Sequence, residues 1–206
     1  MRELFPGIQV LGGAEDNIPS ATQGLINGQV LEINNVKITC YHTPCHTRGH
    51  MLYLFEPSGG PVDEDMEHVT QTFSKGYQKT VSVNRCVFTG DTIFTGGCGR
   101  FFEGKPEGMV AAMQLARDVL PANTKMFGGH EYSVANLTFC ATADPQNEVV
   151  ANWREIFQMK RANGEWTQPT KLSEEKTFNV FMRCFDADIQ NQTGTTDPVA
   201  CMAFLR

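Results

Sequence analysis

Two imidazoles and one carboxylate stand where apolar runs of this chain break into glycine. His46 follows the run in ITCYHTPCHTRGH, Asp91 closes VFTGD, and His130 closes KMFGGH. Strand ends are rigid, and a glycine beside a ligand lets backbone approach without a Cβ clash. Two histidines and an aspartate form a donor set that suits zinc, iron or manganese. Singly, each has a plainer account: a loop histidine, or an aspartate after glycine acting as a turn or helix cap. Their joint occurrence at three strand exits points to metal chemistry.

The neighbouring residues sort differently. His42, His46 and His50 lie four apart and would share one face of a helix, but Pro44 and Gly49 argue against a helix there. His50 is expected to begin the next strand or to support the site from behind. His68 sits in a polar stretch and reads as exposed. Cys45 and Cys98 read as small buried or half-buried thiols. After Asp91 the segment TIFTGGCGRFFEG spends Gly96, Gly97, Gly99 and Gly104 on backbone held open beside the acid.

The elements that must position these residues are legible in outline. GLINGQVLEINNVKITCYHTP carries two extended runs, with NGQ and NN as turn signals. HMLYLFE and RCVFTGD read as further strands, and PEGMVAAMQLARDVLP as a helix that Pro121 stops. Residues 61–84 are polar, acid-led and without period, and read as a surface excursion. After Tyr132 the texture changes: NEVVANWREIFQMKRAN is amphipathic and strand signals almost vanish. The division is therefore a β-rich mixed α/β body over 1–132, with 61–84 as an insertion, and a helical part over 133–206.

Bulk properties narrow the class. The 206 residues are 41% hydrophobic and 19% charged, as in a globular protein with a sizeable core. The net charge of -6 and the lack of a Lys/Arg cluster exclude a nucleic-acid binder that works by phosphate neutralisation. No apolar run reaches the 18 or so residues of a membrane-spanning helix. Seven scattered cysteines, with no CxxC pair, suggest a reducing compartment rather than a disulfide framework.

TPCHTRGH, FTGDTIFTGGCGRFFEG, GGHEYSVANL and the late FNVFMR followed by TDPV resemble the hydroxyacylglutathione hydrolase (glyoxalase II) branch of the metallo-β-lactamase superfamily. They occur in the family's order, and the resemblance covers nearly the whole chain except 61–84. It implies an α/β fold, an αββα sandwich that is N-terminally incomplete, with a C-terminal helical domain that binds glutathione. By the same analogy two divalent ions, zinc foremost, are held by His46 on one side and His130 on the other, with Asp91 bridging as the catalytic carboxylate. Arg100, Phe102, Tyr132 and Arg206 map to the grip on the glutathione part of a thioester substrate. Phe102 departs from the tyrosine common there and lacks its hydroxyl, a hydrogen bond worth roughly 0.5–1.5 kcal/mol.

The family's His-x-His-x-Asp-His motif is absent from these 206 residues, and the chain opens on a segment resembling the one that normally follows it. The expectation is therefore two protein ligands per metal, an uncovered sheet surface, weak metal binding and little turnover by these residues alone. A fragment, a short or degenerate relative, and a site completed by a partner chain are the competing explanations. The expected reaction is hydrolysis of S-2-hydroxyacylglutathione, such as S-lactoylglutathione, in methylglyoxal detoxification. The alternatives are a non-catalytic binding module and, with less support, a mononuclear-iron glutathione persulfide dioxygenase. The expected location is the cytoplasm, or mitochondria if a transit peptide belongs to the true N-terminus, with no membrane partner and an undetermined oligomeric state.

Overall fold

The computed structural model describes residues 5–59 and 85–206, together with the backbone of two strands between them, His68–Thr72 and Gln78–Ser82. The expected surface excursion over 61–84, and the exposure of His68, otherwise lie outside the described residues.

Among the described residues twelve strands occur in chain order: β1 (Leu11–Gly13), β2 (Gln23–Leu25), β3 (Val30–Ile33), β4 (Val36–His42), β5 (Met51–Pro57), β6 (His68–Thr72), β7 (Gln78–Ser82), β8 (Cys86–Gly90), β9 (Ile93–Phe94), β10 (Gly97–Cys98), β11 (Lys125–Gly128) and β12 (Thr170–Lys171). Six form the central sheet in the order β12-β11-β8-β5-β4-β3. The successive pairs β3–β4, β4–β5 and β5–β8 are antiparallel, whereas β11 is parallel to β8. A parallel pair needs a crossover, and helix α1 (Pro106–Gln114), continued by a π turn over Leu115–Val119, supplies it.

Local chemistry explains these elements. Asn34 and Asn35 take φ of 48° and 64°, the left-handed pair that joins twisted antiparallel strands in a two-residue hairpin. Pro106 sits at the start of α1, where its missing N–H is no loss. Beyond β11 come α2 (Ser133–Ala143), α3 (Glu148–Ala162), α4 (Leu172–Phe178), α5 (Ala187–Thr193) and α6 (Pro198–Leu205). Asn147 caps α3 through Val149 N–H at 3.0 Å.

The sheet has two unlike faces. Leu52, Leu54, Val87 and Met126 point into the main core, where Met109 and Met113 of α1, Leu137 of α2 and Phe157 of α3 are all fully buried. On the other face Phe55, Phe88 and Phe127 form an aromatic row, with ring centroids 5.1 and 5.3 Å apart. Phe88 in that row is 43% exposed. A smaller core of Leu25, Ile38, Cys40 and Met51 lies beside it.

The mostly helical part also carries one short strand. Strand character returns in the helical part, because Thr170 and Lys171 pair antiparallel with Met126 and Lys125. Two residues are too few to show a period of two, so the sheet edge they complete left no pattern to read.

Candidate metal and substrate site

Three strand exits converge. Asp91 directly follows β8, His130 lies two residues past β11, and His46 sits in the loop between β4 and β5. The adjacency of β11, β8 and β5 in the sheet is what brings them together. His46 Nε2 lies 3.4 Å from Asp91 Oδ2, and His130 Nε2 lies 3.4 Å from Asp91 Oδ1. Each imidazole therefore faces a different oxygen of one carboxylate.

The second nitrogen of His46 is already engaged: Nδ1 lies 2.9 Å from the Arg100 carbonyl oxygen, which leaves Nε2 for the site. His50 works from behind Asp91. Its Nε2 accepts from the Asp91 backbone N–H at 3.1 Å, and its Nδ1 lies 2.8 Å from Thr92 Oγ1. Burial, with His46 nearby, pushes the His50 imidazolium below the usual histidine range. A neutral ring whose Nε2 accepts is the form this contact requires. His42 instead turns toward the Arg48 carbonyl at 2.6 Å, so the four-residue spacing of these histidines brings only His46 to the carboxylate.

Glycine is required at two points around the acid. A Cβ on Gly99 would lie 1.7 Å from the Asp91 carbonyl oxygen, and one on Gly129 would lie 2.3 Å from Asp91 Oδ1. His130 is fixed through its own backbone. Gln168 donates Nε2 to the His130 carbonyl at 2.8 Å while its Oε1 accepts from Gly128 N–H at 2.8 Å. The next residue, Glu131, is anchored by Ser133 and by the hydroxyl and N–H of Thr167. Burial raises the Glu131 carboxyl, but these donors outweigh it and hold the group below the usual range.

These side chains open on a cleft of about 440 Å³. His46, Asp91, His130, Arg100, Phe102, Tyr132 and Arg206 all line it. Tyr132 stacks on His130 with centroids 4.8 Å apart, and the Phe102 ring, itself 68% exposed, lies 4.9 Å from that of His46. Arg206 arrives at the end of α6, whose Cys201, Met202 and Leu205 are buried. Sequence reasoning missed Phe94 and Asn136 as lining residues and treated Cys98 only as a buried thiol. No residue type marks them, since they reach the cleft through a turn and a helix whose placement is tertiary. Burial pushes the Cys98 thiol far above its ordinary value and favours its protonated form.

The donor set fits divalent ions. Two ligands each about 2.1 Å from one tetrahedral centre stand about 3.4 Å apart, the separation seen in both His–Asp pairs. Among the described residues no three His, Cys, Asp or Glu side chains group closely enough to hold an ion by themselves. The chain thus contributes two pairs sharing one carboxylate.

The family model for the hydroxyacylglutathione hydrolase C-terminus matches residues 131–206. A hydroxyacylglutathione hydrolase of Synechocystis sp. is 37% identical over 210 residues, an alignment covering 100% of this chain and 73% of that protein. The cytoplasmic hydroxyacylglutathione hydrolase of Arabidopsis thaliana is 33% identical, covering 100% of this chain and 72% of that one. A metallo-β-lactamase structure from Staphylococcus aureus shares the fold with a TM-score of 0.51 at 18% identity, over 91% of this chain and 45% of the other.

Proposed function

The chain belongs to the hydroxyacylglutathione hydrolase family, and we propose that it carries the substrate-gripping half and the bridging carboxylate of a metal-dependent thioester hydrolase. The substrate class is S-2-hydroxyacylglutathione, with S-lactoylglutathione as the test compound. The observation that carries this reading is the pair of His–Asp contacts on opposite oxygens of Asp91, at the base of a cleft flanked by two guanidinium groups.

Family membership implies divalent metal. His46 with Asp91 Oδ2 would hold one ion, and His130 with Asp91 Oδ1 the other. Zinc suits these donors best, and iron and manganese are also accepted by them. When bound, the ions supply Lewis acidity toward the thioester carbonyl and make water nucleophilic at neutral pH.

The chain's own residues do the rest. The His50 contact to the Asp91 N–H fixes the backbone from which the carboxylate projects. Arg100 and Arg206 present planar donors suited to the carboxylates of glutathione, and Tyr132 offers a phenol beside His130. Phe102 supplies a flat apolar wall over His46, without the hydroxyl a tyrosine would add. The departing group is a thiolate whose acid has a pKa of roughly 8.5, so expulsion needs little help from a general acid.

Residues 1–132 supply the three ligands and residues 133–206 the helical share of the substrate grip, including Arg206. No helix among the described residues is long and apolar enough to cross a membrane. We place the activity in the cytoplasm, the compartment in the Arabidopsis relative's name.

A second reading, a glutathione-binding module without turnover, is favoured by one observation: each His–Asp pair supplies two protein donors, fewer than the three usual in a catalytic zinc site. Thiol release from S-lactoylglutathione, measured with added zinc and beside calorimetric binding of glutathione, separates the two. Zinc-dependent release that disappears in Asp91→Ala supports hydrolysis. Binding without release supports the module, and neither binding nor release refutes both.

A further inference from the structure

The turn between β9 and β10 is held almost wholly by the helices. Asn179 Nδ2 donates to the carbonyls of Phe94 and Gly97 at 3.3 and 3.2 Å, and Asn136 Nδ2 donates to that of Thr95 at 2.9 Å. Gly96 donates its N–H to Glu175 Oε2 at 2.9 Å, and its carbonyl accepts from the Cys140 thiol at 3.2 Å. Gly96 itself has φ +68°, and a Cβ there would lie 2.3 Å from Leu137 Cδ2, so the turn is pressed onto α2.

Glu175 and Asn179 form a unit. They are four residues apart at the end of α4, both fully buried, and Asn179 Nδ2 also donates to Glu175 Oε2 at 3.0 Å. Thr170 donates its hydroxyl to Glu175 Oε1 at 2.6 Å. Phe181 N–H donates to Asn179 Oδ1 at 3.2 Å, which fixes which way the amide faces. A buried carboxylate is expensive and a well-packed apolar side chain would be cheaper, so placing one here calls for a role beyond packing.

The turn's cargo supplies that role. The Phe94 ring meets His130 edge-on at 5.8 Å and Tyr132 at 5.5 Å. Arg100, two residues past β10, lends its carbonyl to His46 Nδ1. We infer that Glu175 and Asn179 are positioning residues: through the β9–β10 turn they set the Phe94 ring on which His130 and Tyr132 rest, and the backbone that aims His46. The inference takes its ligand from the proposed reading of the cleft as a glutathione site. Asn179 carries the larger share, because its two carbonyl contacts fix the turn at both ends, while Glu175 orients the amide and holds Gly96.

The test compares Asn179→Asp and Glu175→Gln with the wild-type chain, all three first shown folded by circular dichroism. Glutathione binding by calorimetry is expected to weaken about tenfold in Asn179→Asp and less in Glu175→Gln, the scale of losing a buried hydrogen bond. Amide exchange should accelerate at Gly96, Gly97 and Cys98 while strands β4 and β5 keep their protection, and the His130 ring resonances should shift. A merely structural role would lower protection throughout and leave the His130 resonances in place. If Asn179→Asp does not fold, Glu175→Gln decides alone. Unchanged affinity with unchanged exchange at Gly96 and Gly97 overturns the inference. If the wild type binds no glutathione, the reading of the cleft fails, and the exchange and His130 measurements still decide the positioning role.

Discussion

Asp91 must present one oxygen to each of two histidines, so the positions around it tolerate little change. Gly129 shows how little: a methyl there would sit 2.3 Å from Oδ1, and the carboxylate would have to swing from His130. Gly129→Ala is expected to weaken zinc binding about tenfold, the scale of other disturbed supporting contacts, while the fold persists. Zinc calorimetry beside a thermal melt checks this. At this scale the sequence was informative, because His46, Asp91 and His130 each announce themselves by type, glycine and strand end. Phe94 and Asn136 did not, since a phenylalanine in a strand and an asparagine in a helix have no spacing that signals a cleft.

Among the elements, α6 has the clearest functional task, because it delivers Arg206 to the cleft. Its start depends on Asp197, whose Oδ1 accepts from Val199 N–H at 3.0 Å and Ala200 N–H at 2.9 Å. Asp197→Ala should cost about 1 kcal/mol, or roughly 2–4 °C in Tm for a chain of this size. A melt reads that loss directly, and weaker glutathione binding should accompany it if Arg206 grips the ligand. Strands β3, β4, β5 and β8 and helices α1 and α3 were legible from alternation, turn residues and helical spacing. β12 and the β9–β10 turn were not: two-residue strands carry no period, and their partners are set by how α2 and α4 pack.

Across the whole molecule, buried carboxylates pull stability in opposite directions with pH. Burial pushes Glu175 up to about 7 from an ordinary value of 4.5, despite donors from Thr170, Gly96 and Asn179, and Glu174 nearby adds to the rise. The folded state holds that proton more tightly than the unfolded chain does. Its contribution is therefore whole below about 4.5 and is lost as pH rises through about 7. Asp144 is the reverse case. Burial raises it, but donors from Asn147, Arg183 and Gln192 win and hold it low, so its contribution is lost on acidification. Urea unfolding should show the wild-type chain losing stability relative to Glu175→Gln between about pH 5 and 8, and a constant difference would refute this. The αββα family and the helical tail were visible in motifs spread along the chain. The uncovered sheet surface was expected from the resemblance, whereas the residues that form it, Phe55, Phe88 and Phe127, emerge only when the strands are assembled.

Zinc titration of the wild-type chain, His46→Ala, His130→Ala and Asp91→Ala tests the shared carboxylate most directly. The account predicts two sites in the wild type, weaker than a complete catalytic centre, one in each histidine variant, and none in Asp91→Ala. Two sites surviving in Asp91→Ala, or none in the wild type, would contradict it.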